Sequence, residues 1–394
     1  MIRKFMNKKN RLRLIHLANF NSTNIGNGAL IDGLENTVES DFPVPVEWLR
    51  ESWDNYTFGF IDFDQTFVDK VNVSDGLIIG GAVTFNGRDY NQRTGTRFEL
   101  PFELWSQITK PMVFYGLSYR HWEGQTYHHL DKLKMTIEKI LEAPNMMLTL
   151  RNDGTRKWLL KMTGIESDEI FDVPDPALFV RPDLDVEYPE FVEGVKNVII
   201  AFNDEDSIHR FNEHRSKSNK LILSRDHVVK SLVTAMERLT EDYSINFILV
   251  PHYFDDYKMM TTFLEQIRPQ LAHQQMVSTG LCRVKDTGYF YGRYARADLA
   301  ISMRVHSMSP CIGLGTPMVA YTTQNRMTEF MDGIELEDIY VNAFLPNSDD
   351  KLFQCARYML NNGDDLRIRL AGTRSKLRAN SKKIHDKIYG FLSS

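Results

Sequence analysis

The stretch DLAISMRVHSMSPCIGLGTP, residues 298–317, carries the pattern that decides the fold. A short apolar run leads to Arg304 and His306, a segment of small residues follows, and a Gly-Thr-Pro turn ends it. This order predicts a buried strand, a polar turn, a short helix and the next strand. In an open parallel α/β sheet, ligands bind beyond the carboxyl ends of the strands, where Arg304 and His306 should lie. A fixed cation, a titratable imidazole and a helix N-terminus together favour a phosphate-bearing anionic substrate.

Length and composition limit the class of protein. The chain has 394 residues, which are too many for one ordinary core and predict two domains. Its net charge of -5 argues against a dedicated nucleic-acid binder, which would usually be basic. The three cysteines, Cys282, Cys311 and Cys355, are far apart and lack metal-ligand spacing. They predict no metal site, no disulfide framework and a reducing compartment.

Hydropathy argues against a protein that spans a membrane. No apolar run approaches the roughly 20 residues that a transmembrane helix needs. The basic N-terminus leads into an apolar segment, residues 14–18, that is too short for a signal sequence and is interrupted by His16. We therefore predict a cytoplasmic protein. The alternative for the basic N-terminus is peripheral contact with the anionic inner face of a membrane, where lipid-linked glycans are built.

Strand and helix patterns alternate along both halves of the chain. Apolar runs predict strands at 12–17, 76–81, 111–116, 146–150, 196–202 and 245–250. Helical periodicity appears at 29–38, 126–141, 153–162, 227–239, 257–267, 352–360 and 366–391. The acidic, proline-rich segment 172–189 predicts a linker, whereas residues 43–75 show no clear pattern. The order predicts an α/β protein with two Rossmann-like lobes and an interlobe cleft: residues 1–185, residues 186–365, and a basic C-terminal helix at 366–394.

Several short motifs stand out along the chain: NIGNGAL at 24–30, DGLIIGG at 75–81, RND at 151–153, VPDPA at 173–177, PH at 251–252, DD at 255–256 and SMRVHS at 302–307. Taken in this order, they resemble the motifs of the polysaccharide pyruvyl transferases, whose lobes are similar to those of GT-B glycosyltransferases. Two positions depart from the family pattern. Asn152 separates the usual Arg-Asp pair, and Asn-Asp-Glu at 203–205 replaces a more basic or hydroxyl-rich strand end.

The resemblance implies a reaction and its partners. Phosphoenolpyruvate would donate a pyruvyl group to two hydroxyls of a sugar, forming a cyclic ketal and releasing phosphate. The C-terminal lobe would bind this donor, and the N-terminal lobe would bind a sugar or glycan acceptor, free or lipid-linked. No cofactor is implied beyond the donor substrate, and no nucleic acid is implied as a partner.

The chemistry of the side chains selects the candidate site residues for this reaction. An arginine fork can bind the donor's carboxylate or phosphate in a bidentate manner, and a histidine can move protons near neutral pH. The catalytic candidates are Arg304 and His306, and the donor-side candidates are Arg304, Ser307, His252, Arg326 and Glu329. The acceptor-side candidates are Asn24, Gly26, Asn27, Gly28, Gly80, Gly81, Asp62, Asp64, Arg120 and His121. Each also has a structural interpretation, as an ion pair, a core histidine, a turn glycine or a solvated acid.

Two other functions fit the same two-lobed pattern, because a fold does not determine a function. A GT-B glycosyltransferase would use a nucleotide sugar and would need a donor-site glutamate to hold the ribose, for which the sequence offers no clear candidate. A glycan-binding relative would keep the cleft and lose turnover. The three functions differ in what the protein does with its substrates. A pyruvyl transferase releases phosphate, a glycosyltransferase releases a nucleotide, and a glycan-binding relative binds sugar without reaction.

Overall fold

The computed structural model describes residues 11–80, 83–212 and 221–394, in which two parallel β-sheets form two lobes. The first sheet comprises β1 (Leu12–Ala18), β2 (Val46–Ser52), β3 (Gly76–Gly80), β4 (Val83–Phe85), β5 (Met112–Tyr119), β6 (Met146–Arg151) and β7 (Ile170–Val173). The second comprises β8 (Lys196–Ala201), β9 (Ile245–Val250), β10 (Met276–Ser278), β11 (Leu299–Ser302), β12 (Met318–Thr322) and β13 (Tyr340–Asn342). Central strands such as β3, β5 and β9 are buried along their whole length, as expected for parallel sheets covered on both faces.

Helices connect the parallel strands. The first lobe contains α1 (Ile25–Asp41), α2 (Trp53–Thr57), α3 (Gln65–Asn72), α4 (Phe102–Trp105), α5 (Leu130–Glu142) and α6 (Thr155–Thr163). The second contains α7 (Ser207–Arg210), α8 (Arg225–Asp242), α9 (Asp256–Gln266), α10 (Pro269–Gln274), α11 (Thr287–Arg296), α12 (Val305–Leu314), α13 (Asn325–Asp332) and α14 (Ser348–Asn361), and α15 (Gly363–Ser393) follows. None of the helices in the described ranges is both long and apolar enough to cross a bilayer.

The order of the strands determines where a ligand can bind. The first sheet runs β2-β1-β3-β5-β6-β7, with β4 paired to β5, and the second runs β10-β9-β8-β11-β12-β13. The direction of this order reverses between β1 and β3 in the first sheet and between β8 and β11 in the second. At such a reversal the connections diverge to opposite faces, so a crevice opens beyond the carboxyl ends of the strands. Each lobe therefore has one crevice.

The first part of the connection between the lobes, residues 173–180, is buried, whereas most of the rest of the predicted linker at 172–189 is exposed. The first part of that segment is the end of β7, and the 3-10 turn Pro176–Phe179 is buried at every residue. This turn packs between α1 and α12. A Cβ atom at Gly33 of α1 would lie 1.8 Å from the carbonyl oxygen of Pro176, and one at Gly313 of α12 would lie 1.7 Å from that of Leu178. Glycines on both helices therefore allow the turn to sit between their backbones.

Helix α15 packs against both lobes. Its first half joins the core of the second lobe, whereas Leu392 packs with β1 and β3 of the first. His385 lies 2.7 Å from the hydroxyl of Tyr115 and 2.6 Å from a carboxylate oxygen of Asp41. Burial opposes ionisation of Asp41, but hydrogen bonds from His385 and Arg378 outweigh it and lower the pKa of Asp41 to about 2. A buried charged network thus holds the end of the chain on the first lobe.

Local periodicity located most elements, and the differences have local causes. Helix α1 begins at Ile25, ahead of the predicted residue 29, because the side chain of Asn24 accepts a hydrogen bond from the Gly26 amide and caps it. The unassigned segment 43–75 forms β2, α2 and α3. Strand β2 lies at the sheet edge and is half-buried along its length, so it has no apolar pattern. Gly81, predicted to end β3, lies outside the described residues.

We predict that Gly313→Ala lowers the free energy of unfolding by about 1–3 kcal/mol, because its methyl group would press on a backbone carbonyl that cannot turn away. Gly372→Ala is the matched control. Gly372 lies in α15 with open space around its Cβ position, so alanine should raise the free energy of unfolding by about 0.5–1 kcal/mol. Urea denaturation followed by circular dichroism measures both. Equal stability of Gly313→Ala and the native protein would show that the turn is not held tightly.

Candidate active site

A cavity of about 330 Å³ lies between the lobes and is lined by both of them. Much of its lining comes from the segments that follow six of the strands. These residues are Asn19 and Asn24 after β1, Asp54 after β2, Arg120 after β5, Asn203 and Glu205 after β8, Arg304 and His306 after β11, and Gln324 and Arg326 after β12. The crevices of the two sheets thus face each other and form one cleft.

The cleft is positively charged, although the whole chain carries a net charge of -5. Its charged lining consists of five arginines and two carboxylates: Arg97, Arg120, Arg210, Arg304, Arg326, Asp54 and Glu205. Helices α1, α12 and α13 also begin at the cavity, where Asn24, Val305 and Gln324 line it. The free N–H groups and the dipole at a helix N-terminus favour an anion. The cleft is therefore built for a negatively charged ligand.

Arg304 is held by ion pairs at the base of the cleft. Its Nη2 pairs with Asp256, its Nη1 lies 3.2 Å from Glu205, and its Nε donates to the Phe202 carbonyl at 3.1 Å. Burial lowers the pKa of Arg304, but Asp256 and Glu205 raise it further, so the charge is kept. Only 7% of the residue is exposed. The guanidinium thus has a rigid structural role and still borders the cleft, as the sequence predicted.

Two other cleft arginines are less fully compensated and are the more available ones: Arg326 Nε lies 3.9 Å from the Asp153 carboxylate, and Arg210 has no ion pair with any carboxylate in the described ranges. Burial and the nearby charge of Arg304 lower the pKa of Arg210 to about 9. Burial also lowers the pKa of Arg326, which donates to the Tyr119 carbonyl at 2.6 Å from Nη1. Within the described part of the chain, Nε of Arg326 has no hydrogen-bond partner. A bound anion would satisfy these groups, because each is a buried cation without full compensation.

His306 is neutral in the free cleft, and its tautomer is determined by a neighbour. Nη1 of Arg151 lies 3.1 Å from Nε2 of His306. Arginine can only donate, so Nε2 accepts and the proton lies on Nδ1. Burial lowers the pKa of His306 well below its ordinary value, and the charges of Arg151 and Arg326 lower it further. A Cβ atom at Gly26 would lie only 2.7 Å from Nδ1, so the glycine lets α1 approach the ring.

A buried carboxylate pair supports this imidazole from behind. Nη1 of Arg151 lies 3.5 Å from Asp175 and 3.9 Å from Asp153, and all three side chains are fully buried. Asp175 Oδ2 lies 3.9 Å from Nε2 of His306 and, within the described ranges, has no hydrogen-bond partner. Burial raises the pKa of Asp175, although Arg151 opposes this. Asn152 does not disturb the arrangement, because its side chain accepts from the Asp175 amide at 2.9 Å.

Six predicted residues line the cleft and a seventh lies against it. The lining residues are Arg304, His306, Arg326, Asn24, Asn27 and Arg120, and Gly26 packs against His306. Arg120 is not free for an acceptor, because it pairs with Glu205 and lies 3.2 Å from Asp206. It instead joins the two lobes across the cleft.

Two donor-side predictions are corrected by burial. His252 is fully buried among aromatic rings, and its Nε2 lies 2.6 Å from the hydroxyl of Tyr294. Desolvation lowers its pKa well below the ordinary value, which makes it a neutral core histidine. Ser307 is also fully buried, and its hydroxyl donates to the Arg304 carbonyl at 2.9 Å inside the first turn of α12. Neither side chain lines the cleft.

Glu329 and His121 do not line the cleft. Glu329 packs between the lobes, and His121 packs within the first lobe. Glu329 accepts a hydrogen bond from the hydroxyl of Tyr119 at 3.1 Å and so joins α13 to the first lobe. His121 lies 2.8 Å from the Gln125 carbonyl oxygen through Nε2, and Nδ1 accepts from the Trp158 indole at 3.4 Å. Both ring nitrogens of His121 are therefore engaged within the protein.

The remaining acceptor-side predictions are structural. Gly28 faces Thr287 of the second lobe, where a Cβ atom would lie 2.0 Å from its hydroxyl oxygen. Gly80 is buried within β3. Asp64 caps α3 by accepting from two backbone amides, and Asp62 is exposed nearby. None of these four residues lines the cleft, because the glycines serve close packing and the acids serve a helix end or solvent.

Sequence reasoning missed several cleft residues, among them Asp54, Arg97, Arg210 and Tyr253. Asp54 follows β2, whose edge position hid the strand and with it the strand's carboxyl end. Arg210 lies in the four-residue helix α7, which is too short to show periodicity. The sequence did point to the residues behind His306, because Arg151, Asp153 and Asp175 lie in the motifs RND and VPDPA that carry the family resemblance.

The chain is similar to one protein family and to several solved structures. The family model described as polysaccharide pyruvyl transferase matches residues 24–325, which include all the cleft segments from α1 to the start of α13. No curated protein matches the chain at a significant level.

The similar structures share the fold only. A glycosyltransferase from Rickettsia africae is 11% identical, with a TM-score of 0.54 over 98% of this chain and 99% of that one. Apo OtsA is 10% identical, with a TM-score of 0.56 over 97% and 99%. A structure from E. coli described as trehalose-6-phosphate bound with UDP-2-fluoro glucose is also 10% identical, with a TM-score of 0.54 over 97% and 99%. These likenesses confirm the predicted GT-B-like arrangement of two α/β lobes.

We predict that sulfate binds in the cleft and that the protein takes up a proton when it binds. The anion's charge would offset Arg151 and Arg326, which lower the pKa of His306 in the free protein, so the imidazole becomes easier to protonate. Sulfate does not titrate near neutral pH, so calorimetry at about pH 6.5 in two buffers of different ionisation enthalpy counts the protons gained by the protein. His306→Gln should keep sulfate binding and lose most of the uptake. Uptake that is equal in both proteins would assign the proton to another group.

Proposed function

Because the chain belongs to the polysaccharide pyruvyl transferase family, we propose that it transfers the pyruvyl group of phosphoenolpyruvate to two hydroxyls of a sugar, forming a cyclic ketal and releasing phosphate. The family makes the protein a transferase that acts on polysaccharide. The donor and the ketal product are supported by one observation above all. The second-lobe side of the cleft combines buried arginines whose charge is incompletely compensated with helix N-termini beside a neutral histidine.

The donor carries a phosphate and a carboxylate, so it needs more than one cation. Arg326 and Arg210 are the second-lobe cations of the cleft that are least compensated, since Arg326 Nε lies 3.9 Å from Asp153 and Arg210 has no ion pair in the described ranges, and the N-termini of α12 and α13 lie beside them. Each arginine fork can bind one of the two anionic groups in a bidentate manner. Arg304 holds the base of this pocket through Asp256 and contributes its charge from there. The donor thus replaces the missing counter-ions of the cleft.

His306 is proposed as the acid that protonates the methylene carbon of the donor. The negative charge of the bound donor raises the pKa of the imidazole, which burial and the neighbouring arginines hold down in the free protein. When Nε2 gains a proton, it can no longer accept from Arg151. Asp175 Oδ2 lies 3.9 Å away, has no hydrogen-bond partner in the described ranges and lies 3.5 Å from Arg151 Nη1, so it is placed to accept the new N–H. The residues behind the ring therefore support both protonation states.

The acceptor is a sugar or glycan precursor that enters from the first lobe. No specific observation favours a nucleotide sugar over phosphoenolpyruvate as the donor, since the similar glycosyltransferase structures share only the fold. The cytoplasmic location and the choice between free and lipid-linked acceptors stay predictions.

The test incubates the protein with phosphoenolpyruvate and glycosides of galactose, glucose and N-acetylmannosamine. We expect phosphate release and an acceptor mass gain equal to pyruvic acid minus water. His306→Ala should lose about 10²–10⁴-fold in turnover, the usual contribution of a general acid. His273→Ala, an exposed histidine of α10 outside the cleft, is the matched control and should keep full turnover.

Three results would contradict this proposal. Near-normal turnover by folded His306→Ala would remove the imidazole from the mechanism. Release of a nucleotide from a nucleotide sugar, with phosphoenolpyruvate left intact, would identify a glycosyltransferase. Saturable sugar binding without any reaction would identify a glycan-binding relative.

A further inference from the structure

We propose that the first-lobe wall of the cleft is a pyranose-binding subsite in which Asp54 accepts the proton of the attacking hydroxyl and Phe58 stacks on the sugar ring. This inference rests on the proposed function, and it names the base and the acceptor class. Both residues belong to the segment that follows β2 and begins with α2, and both line the cavity shared with Arg304 and His306. The sequence pattern pointed to neither of them.

Asp54 is the cleft carboxylate whose hydrogen-bond donors in the described ranges are all neutral. The other one, Glu205, is enclosed by cations. Burial opposes its ionisation, but Arg120, Arg304 and Arg210 lower the pKa of Glu205 to about 2, so it holds a proton poorly. Asp54 forms no ion pair with any residue in the described ranges. His306 is also unsuited to be the base, because Arg151 occupies its one free lone pair at Nε2.

The Asp54 carboxylate is positioned by three neutral donors and has room for a fourth. Asn19 Nδ2 donates to Oδ1 at 2.7 Å, and the Asn21 amide and the Ser52 hydroxyl each donate to Oδ2 at 3.2 Å. A carboxylate offers about four lone-pair sites, so one direction remains for a ligand. Since Asp54 itself lines the cavity, a hydroxyl of the acceptor can occupy that direction.

Phe58 supplies the apolar face that a sugar ring needs. It is 70% exposed and lines the cavity, an unusual position for a large aromatic side chain. Its backbone is held in place, because its amide donates to the Asp54 carbonyl at 3.0 Å. The neighbouring lining residues Asn27 and Asn86 carry uncharged amides that can bind hydroxyls. An aromatic platform beside amides and one carboxylate matches a neutral polyhydroxy ring, whereas the arginines opposite match the donor.

The proposed pyruvyl transfer conserves every atom and proton. Protonation of the donor's methylene carbon by His306 makes the adjacent carbon electrophilic, and the acceptor hydroxyl oxygen bonds to that carbon while its proton passes to Asp54. The second hydroxyl then forms the other ketal bond as the carbon–oxygen bond to phosphate breaks, and its proton leaves with the phosphate. One phosphoenolpyruvate and one diol give one ketal and one hydrogen phosphate. Exchange with solvent restores the proton lost by His306 and the one gained by Asp54.

The experiment compares Asp54→Asn and Phe58→Ala with matched controls on the same lobe. Asp62→Asn changes an exposed carboxylate outside the cleft, and Phe60→Ala removes a ring that is 77% exposed but does not line the cavity. Three quantities are measured for each variant: turnover, phosphoenolpyruvate affinity by calorimetry, and binding of the methyl pyranosides by saturation-transfer NMR. Thermal melting shows that each variant is folded, and Asp54→Glu, which keeps a carboxylate, replaces Asp54→Asn if the latter does not fold.

We expect Asp54→Asn to lose about 10²–10⁴-fold in turnover with phosphoenolpyruvate affinity unchanged. Phe58→Ala should weaken sugar binding about 3- to 10-fold, and both controls should match the native protein. The native protein could bind sugar without any turnover while Phe58→Ala weakens that binding. This result would support the sugar subsite and contradict the proposed pyruvyl transfer. If the native protein turns over and Asp54→Asn does too, the base is wrong and the proposed function stands. Absence of both sugar binding and turnover in the native protein overturns both proposals.

Discussion

The close approach of α1 to the second lobe is the constraint on which the rest of the structure depends. Three glycines of this helix allow it: Gly33 accommodates the Pro176 carbonyl, Gly28 accommodates Thr287, and Gly26 accommodates the ring of His306. Any side chain at these positions would separate the lobes and widen the cleft. The glycine-rich motif after β1 therefore positions the second lobe, and its contribution to a ligand site is indirect. Only its asparagines, Asn24 and Asn27, line the cavity.

This packing makes a narrow cleft in which charge is unevenly compensated. Arg304 and Arg120 are matched by the buried carboxylate of Asp256 and the half-buried one of Glu205, and these ion pairs join strands and lobes. Arg210 and Arg326 are matched less fully, since Arg210 has no ion pair in the described ranges and Arg326 Nε lies 3.9 Å from Asp153, and burial penalises their charge. A buried cation without full compensation is costly in the free protein and becomes favourable when an anion binds. The less fully matched arginines thus account for ligand affinity, whereas the matched ones account for the shape of the site.

The two walls of the cleft differ in chemistry as well as in charge. The second-lobe wall presents guanidinium groups and the N-termini of α12 and α13, which suit a small multiply charged donor. The first-lobe wall also carries Arg97 and Arg120, but it adds an exposed aromatic ring, amides and one carboxylate without an ion pair in the described ranges, which suit a neutral ring with hydroxyls. His306 lies between them, with its Nδ1 beside Gly26 and its Nε2 on Arg151. This division explains how a single cleft of modest volume can hold two unlike substrates in contact.

The sequence by itself determined the α/β class, the two-lobed order, the family and the pair Arg304 and His306, because apolar periodicity and short motifs are local properties of the chain. It determined the position of β9 to the residue and located most other strands within a few residues. It could not reveal Asp54 and Arg210, since an edge strand and a one-turn helix leave no periodic pattern. Only the tertiary structure decided that His252 and Ser307 are buried, that the proline-rich connection is packed between helices, and that Arg151 holds His306. The last two facts depend on contacts between residues more than 100 positions apart, and no local pattern records such contacts.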